Sequence, residues 1–389
     1  MPSGKLANLV YRAALPVAGV RSALTHRAAG QPLVHPEHYR RLLARHHVSG
    51  ASLLLQSGDR RAEIFSSVSR PGAKEVTEDS LFRVASLTKM VTAAAVLRLC
   101  DRGLLQLDAP LADLLPGAGA TDAAGITLRQ LLSHTSGLRD TPAADEALSG
   151  GKTWQAVLEA PGTLGSAPGE RFAYCNFGFG LAGCVLEQAT GLPVSQVLAR
   201  EVLLPLGMRG SLDASTLDPG AIVPITRVLS RHRGPDVRVT PLGRIPLTGP
   251  DPERHFGHTA GALYTDAPSL SRLLGMIAAG GLHEGQPFLS PAMAAEMTRV
   301  HAVYGKLSPT LSYGLGLLII LDPRLSAHRI LGHQGFAYGC ADGAFQEEKT
   351  GRQVIFLNGG CSEARCGRLG VGNRDILRYA LGEEMAAWK

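Results

Sequence analysis

An α+β fold, with one antiparallel sheet drawn from both ends of the chain around a helical middle, is predicted by three observations on the 389-residue sequence. Residues 49–56 and 61–67 are apolar, β-patterned runs on either side of the turn Ser57-Gly-Asp59. Alternating apolar runs return between 330 and 359, notably Gln353-Val-Ile-Phe-Leu357, with Lys349-Thr-Gly351 as a hairpin turn. Between these ends, from about 105 to 208, helical stretches alternate with Gly/Pro loops.

Taken in order, residues 1–35 read as an N-terminal extension. Arg12 and Pro16 interrupt its apolar run, whereas a secretory signal needs about 7–15 unbroken apolar residues; a cytoplasmic location is expected. Residues 36–46 form an amphipathic helix with Tyr39, Leu42 and Leu43 on one face. Leu81-Phe-Arg-Val84 is strand-like, and a strongly apolar helix runs from Ser86 to about Asp101, with Gly103 as its stop. The sheet region is expected to comprise 36–105 and 260–389, and the helical region 106–259. Helices are expected at 127–132, 153–158, 179–188 and 194–202. Residues 211–259 are rich in Pro, Gly and Arg without a sustained period, and read as a functional rim loop. Helices at 269–279 and about 373–385 complete the chain.

Composition removes several classes of function. The net charge of +6 comes mostly from arginines dispersed along the chain, without the basic stripe or motif of a nucleic-acid binder. The six cysteines show no CxxC pair and HExxH is absent, so a disulfide framework, a metal site and a cofactor are not expected. No apolar run is long enough for a membrane span, and no membrane partner is expected.

Ser86-Leu-Thr-Lys89 puts a hydroxyl and an amine at i and i+3 of a helix, on one face. A serine at a helix start gains from backbone N–H groups, and a buried lysine can serve as a neutral base. Ser149-Gly-Gly-Lys152 repeats the spacing, but its two glycines spoil a rigid helical presentation. Tyr174-Cys-Asn176 pairs a proton-relaying phenol with an amide able to bind a carbonyl. Gly332-His-Gln-Gly335-Phe336 is a glycine-flanked strand along which a substrate could lie close to the backbone. Gly178-Phe-Gly-Leu-Ala-Gly183 matches GxGxxG, yet no βαβ strand precedes it, so dinucleotide binding is rejected.

These three segments, in this order, resemble the serine β-lactamase and penicillin-binding protein superfamily. The likeness is closest to its class C branch with the related D,D-carboxypeptidases, esterases and acyltransferases. Leu128-Arg-Gln-Leu-Leu-Ser-His-Thr-Ser-Gly-Leu138, Pro168-Gly-Glu170, Leu204-Pro-Leu-Gly-Met208 and Ala260-Gly-Ala-Leu-Tyr-Thr265 are similar to further family segments. The resemblance implies a β-lactamase/transpeptidase-like fold: an antiparallel sheet flanked by N- and C-terminal helices, with an inserted all-helical region. It implies Ser86 as the acylated nucleophile, Lys89 as its base and Tyr174 as a second proton carrier. The backbone N–H groups of Ser86 and Phe336 would form the oxyanion hole. Asn176, His333, Gln334 and Gly335 would bind substrate, with His333 in place of the lysine of the family's KTG motif.

Three functions follow as expectations. One is a serine hydrolase acting on a small ester or amide. The second is an acyltransferase passing the acyl group to an amine or alcohol, its choice made by the 211–259 loop. The third is a non-catalytic binding module on the same fold. His333 and Gln334 replace a cation and a hydroxyl that hold carboxylates in the family, which disfavours penicillins as substrates.

Overall fold

The computed structural model describes Ala14 and residues 24–69, 73–144, 152–226, 247–304, 310–337, 339–362 and 369–388. The strands in chain order are β1 (Leu24–Gly30), β2 (Ala51–Ser57), β3 (Arg60–Val68), β4 (Phe82–Arg83), β5 (Gly210–Ser211), β6 (Tyr264–Thr265), β7 (Leu282–His283), β8 (Gln286–Pro287), β9 (Ala302–Val303), β10 (Leu311–Tyr313), β11 (Leu318–Ile320), β12 (Ile330–Ala337), β13 (Cys340–Glu347) and β14 (Gln353–Asn358). The principal helices are α1 (Pro36–Arg45), α2 (Thr88–Asp101), α3 (Leu128–Leu132), α4 (Asn176–Thr190), α5 (Ala267–Ala278) and α6 (Val371–Tyr379).

Nine strands pair antiparallel in the order β1-β3-β2-β14-β13-β12-β11-β10-β9. The two ends of the chain meet where β14 pairs with β2, Phe356 opposite Leu53. Period-two alternation then sends side chains to two cores. Leu54, Leu331, Ala344, Ile355 and Leu357 face the helical side with α2. Leu53, Leu55, Ile330, Val354 and Phe356 face the side covered by α1 and α6, with Tyr39, Leu42, Leu43, Ile376 and Leu377. Helix α2 is apolar around its circumference, with eleven of its fourteen residues buried, as a helix through the middle of a core requires. Among the described residues no helix is long and apolar enough to cross a membrane.

The structure departs from the sequence reading in three places. Residues 24–30, read as part of the extension, form the edge strand β1 on β3, with Ala28 opposite Ile64. This strand is mostly exposed and so lacks the apolar alternation that marks a strand in sequence. Strands β9 to β11 are only two or three residues long, too short for a period to register. Ser86 lies in a 3₁₀ turn, Ala85–Leu87, that precedes α2. Of the 211–259 stretch, residues 227–246 lie outside the described residues. Its nearer part is fastened to the body by Leu81 N–H donating to Ala221 O at 2.9 Å and Val223 N–H donating to Leu81 O at 2.9 Å.

Candidate active site

The turn carrying Ser86 is strained and clamped. Ala85 has φ +46°, a conformation an L-residue adopts only when its surroundings impose it. Thr88 Oγ1 donates to Ala85 O at 2.6 Å and itself accepts from Leu263 N–H at 3.2 Å. Val84 N–H donates to Leu263 O at 3.0 Å. Three residues on from Ser86, at the start of α2, Lys89 is fully buried. Its Nζ donates to Ser86 Oγ at 3.0 Å, Asn176 Oδ1 at 2.8 Å and Ala260 O at 2.7 Å. Three acceptors match the three donors of an ammonium.

The Tyr174 ring lies beside this amine, its centroid 5.0 Å from Lys89 Nζ. Asn176 opens α4 and is oriented by Asp140, a residue the sequence reading missed. The Asp140 carboxylate accepts from Asn176 N–H at 3.0 Å, Asn176 Nδ2 at 2.8 Å and Phe177 N–H at 2.9 Å. A carboxylate suits a helix N-terminus, whose first N–H groups lack intrahelical partners. A separation of 36 positions in the chain hid this cap from any local pattern. The Asn176 amide is thereby fixed, oxygen to Lys89 and nitrogen to Asp140.

Ser86, Tyr174, Asn176, His333, Gln334 and Phe336 line one cavity of about 220 Å3. Tyr304, Tyr313 and Leu318, also missed, complete its wall. A signal for Tyr313 exists in Tyr313-Gly-Leu-Gly316. A Cβ at Gly314 would sit 2.3 Å from Met297 O, and one at Gly316 2.6 Å from Lys89 O, so the glycines mark a segment pressed between Met297 and α2.

His333 is buried and neutral. Its Nδ1 donates to Gln334 O at 2.6 Å, leaving Nε2 to accept from the Tyr313 hydroxyl at 2.7 Å. Burial, with the Lys89 charge adding, pushes its pKa down to about 3. The Gln334 side-chain oxygen accepts from Gly370 N–H at 2.8 Å, toward the start of α6. Gly335 is turned toward the Ser86 turn: a Cβ there would lie 2.2 Å from Val84 O and 3.2 Å from Ala85 Cβ. Its small size lets β12 close on that turn, and Phe336 and Ser86 line the same cavity. Gly335→Ala is therefore expected to destabilise the fold by about 1–3 kcal/mol through overpacking, measurable by denaturant unfolding.

A second cavity, of about 290 Å3, adjoins the first through Asn176 and is walled by Asp140, Phe177, Phe256, Gly257 and Ala260. The 211–259 stretch thus contributes Phe256 and Gly257 to a concave surface beside Ser86.

Ser149 lies outside the described residues, and Lys152 is exposed. Lys349-Thr-Gly351 closes the turn from β13 to β14, where Thr350 Oγ1 donates to the Glu347 carboxylate. The GxGxxG run lies inside α4: a Cβ at Gly180 would be 1.6 Å from Phe256 O, and one at Gly183 2.5 Å from Thr259 Oγ1. These glycines serve helix-to-loop packing.

The chain is similar to penicillin-binding protein 4 of Amycolatopsis lactamdurans, 33% identical over 187 residues covering 45% of this chain and 48% of that protein. It thus spans about half the length of that relative. Esterase EstB of Burkholderia gladioli is 29% identical over 358 residues, 79% of this chain and 84% of the esterase. Among solved structures, EstCE1, described as a hydrolase with promiscuous acyltransferase activity, shares the fold with a TM-score of 0.69 at 22% identity, covering 87% of this chain and 96% of that one. The Beta-lactamase family model matches residues 36–356. That match runs from the first residue of α1 into β14 and takes in every residue named in the Ser86 cavity, so the chain belongs to the Beta-lactamase family.

Proposed function

We propose that the protein is a serine hydrolase acting on a small ester or amide through a covalent acyl-enzyme on Ser86. The observation that carries this reading is the buried Lys89 amine 3.0 Å from Ser86 Oγ in the wall of a cavity. In the reacting form Lys89 has given up one proton: its two remaining N–H groups stay on Asn176 Oδ1 and Ala260 O, and its lone pair takes the Ser86 proton as Oγ bonds to the substrate carbonyl carbon. The resulting oxyanion is received by the N–H groups of Ser86 and Phe336. Collapse breaks the bond to the leaving group, which receives the proton by way of Tyr174. Water then attacks the acyl carbon and gives its proton to the same pair; collapse breaks the bond to Ser86 Oγ, which takes that proton back as the acid leaves. Asn176 holds Lys89 in register.

The substrate class is set by His333. A neutral imidazole with both nitrogens engaged supplies no fixed cation, so an ester or amide with an uncharged flank suits the site better than one bearing a carboxylate. The second cavity beside Asn176 favours an alternative for the second half-reaction, in which an amine or alcohol replaces water.

Intact-mass analysis during incubation with p-nitrophenyl acyl esters tests this. An acyl adduct on Ser86 that water discharges is expected. Faster discharge by added amine would identify acyl transfer, and a folded protein with neither adduct nor turnover would leave a binding module.

A further inference from the structure

We propose that His134 is the positioning residue for Tyr174, a role that rests on the acyl-enzyme reading above. His134 lies just beyond α3 and is buried, with φ +57°, a left-handed conformation uncommon outside glycine. Its carbonyl accepts from Ala173 N–H at 2.8 Å. Its ring Nδ1 accepts from Cys175 N–H at 3.1 Å. Those two bonds bracket Tyr174, one on each side. The imidazole also lies against the phenol ring, with centroids 4.2 Å apart, and packs between Phe179 at 5.0 Å and Tyr313 at 4.7 Å. One residue thus holds Tyr174 on three sides, its carbonyl at the preceding peptide and its imidazole at the following peptide and at the ring.

Accepting a backbone N–H requires a lone pair on Nδ1, so the imidazole is neutral and carries its proton on Nε2. Complete burial, then the nearby Lys89 charge, keep its protonation well below the usual histidine range. The acceptor is therefore present throughout the pH range in which the enzyme would work. Six residues further on, Asp140 grips the N–H groups of Asn176 and Phe177. Residues 134 and 140 consequently clamp successive parts of the Tyr174–Phe177 segment against Lys89. Such precision matters because a reacting group misplaced by about 1 Å can lose roughly 10²-fold in rate.

The test compares His134→Leu, which lacks the acceptor, with His134→Asn. The asparagine amide oxygen reaches toward the place of Nδ1, and asparagine tolerates positive φ. On a p-nitrophenyl ester, His134→Leu is expected to lose roughly 10- to 100-fold in kcat with KM changed less than about threefold, and His134→Asn to recover much of the loss. If the leucine variant does not fold, His134→Gln replaces it, because its acceptor reaches the Nε2 position instead. A folded leucine or glutamine variant with kcat within about twofold of the parent, or an asparagine variant as impaired as the other, overturns the role. The parent's Ser86 adduct is measured alongside. Its absence removes the acyl-enzyme reading, whereas a normal adduct with undiminished variant kcat removes only the assignment of His134.

Discussion

Ser86→Ala is expected to lower turnover of an activated ester by at least about 10³-fold and to eliminate the acyl adduct. The substitution removes one oxygen from a turn whose geometry is held by other groups. Thr88 Oγ1, Leu263 N–H and the close approach of Gly335 to Val84 O all remain. Loss of activity would then report chemistry and not a displaced backbone, which an unchanged thermal midpoint would verify. Ser149→Ala, in the second SxxK match, is the control and is expected to stay within about twofold of the parent, as a substitution outside the reacting groups should. Equal rates for Ser86→Ala and the parent would refute the nucleophile assignment.

Lys89→Met is expected to lower turnover by roughly 10²–10⁴-fold, the usual contribution of a positioned general base. Methionine preserves the length and apolar character of a stem that runs through the core of α2, so the loss would be chemical in origin. It deletes the donor to Ser86 Oγ, Asn176 Oδ1 and Ala260 O together. Adduct formation should slow along with turnover, because attack by the hydroxyl needs a proton acceptor. If the adduct formed at the normal rate and merely persisted, Lys89 would act in deacylation alone, and the base for attack would have to be another group. Stopped-flow release of p-nitrophenol separates these steps.

Much of the site was legible because its first pair is local. Ser86 and Lys89 are the first and fourth positions of one turn, and a helical start places i and i+3 side by side whatever the rest of the chain does. Tyr174 and Asn176 were recognisable as a short motif, although their relation to Lys89 was not measurable in sequence. Asp140 and His134 escaped functional assignment for a different reason. Each acts on the Tyr174 segment from 36 to 41 residues away, and no periodicity connects them. Gly335 was noticed for its size, but its packing on Val84 was not legible: the residue type announces close approach, and topology decides what else approaches.

By itself the amino-acid sequence determined the class of fold, the helix that carries Lys89, the central strands and the short motifs that hold Ser86, Lys89, Tyr174 and Asn176. Each of these depends on spacing and residue type within a short stretch of chain. The tertiary structure alone decided that β1 closes one edge of the sheet, that Asp140 and His134 clamp the Tyr174 segment, and that His333 is a neutral wall and not a cation. The physical reason is that pairing partners, burial and the field of a neighbouring charge arise only when distant segments are brought within a few ångströms. A histidine with an ordinary pKa in solution then becomes an uncharged acceptor for a tyrosine hydroxyl.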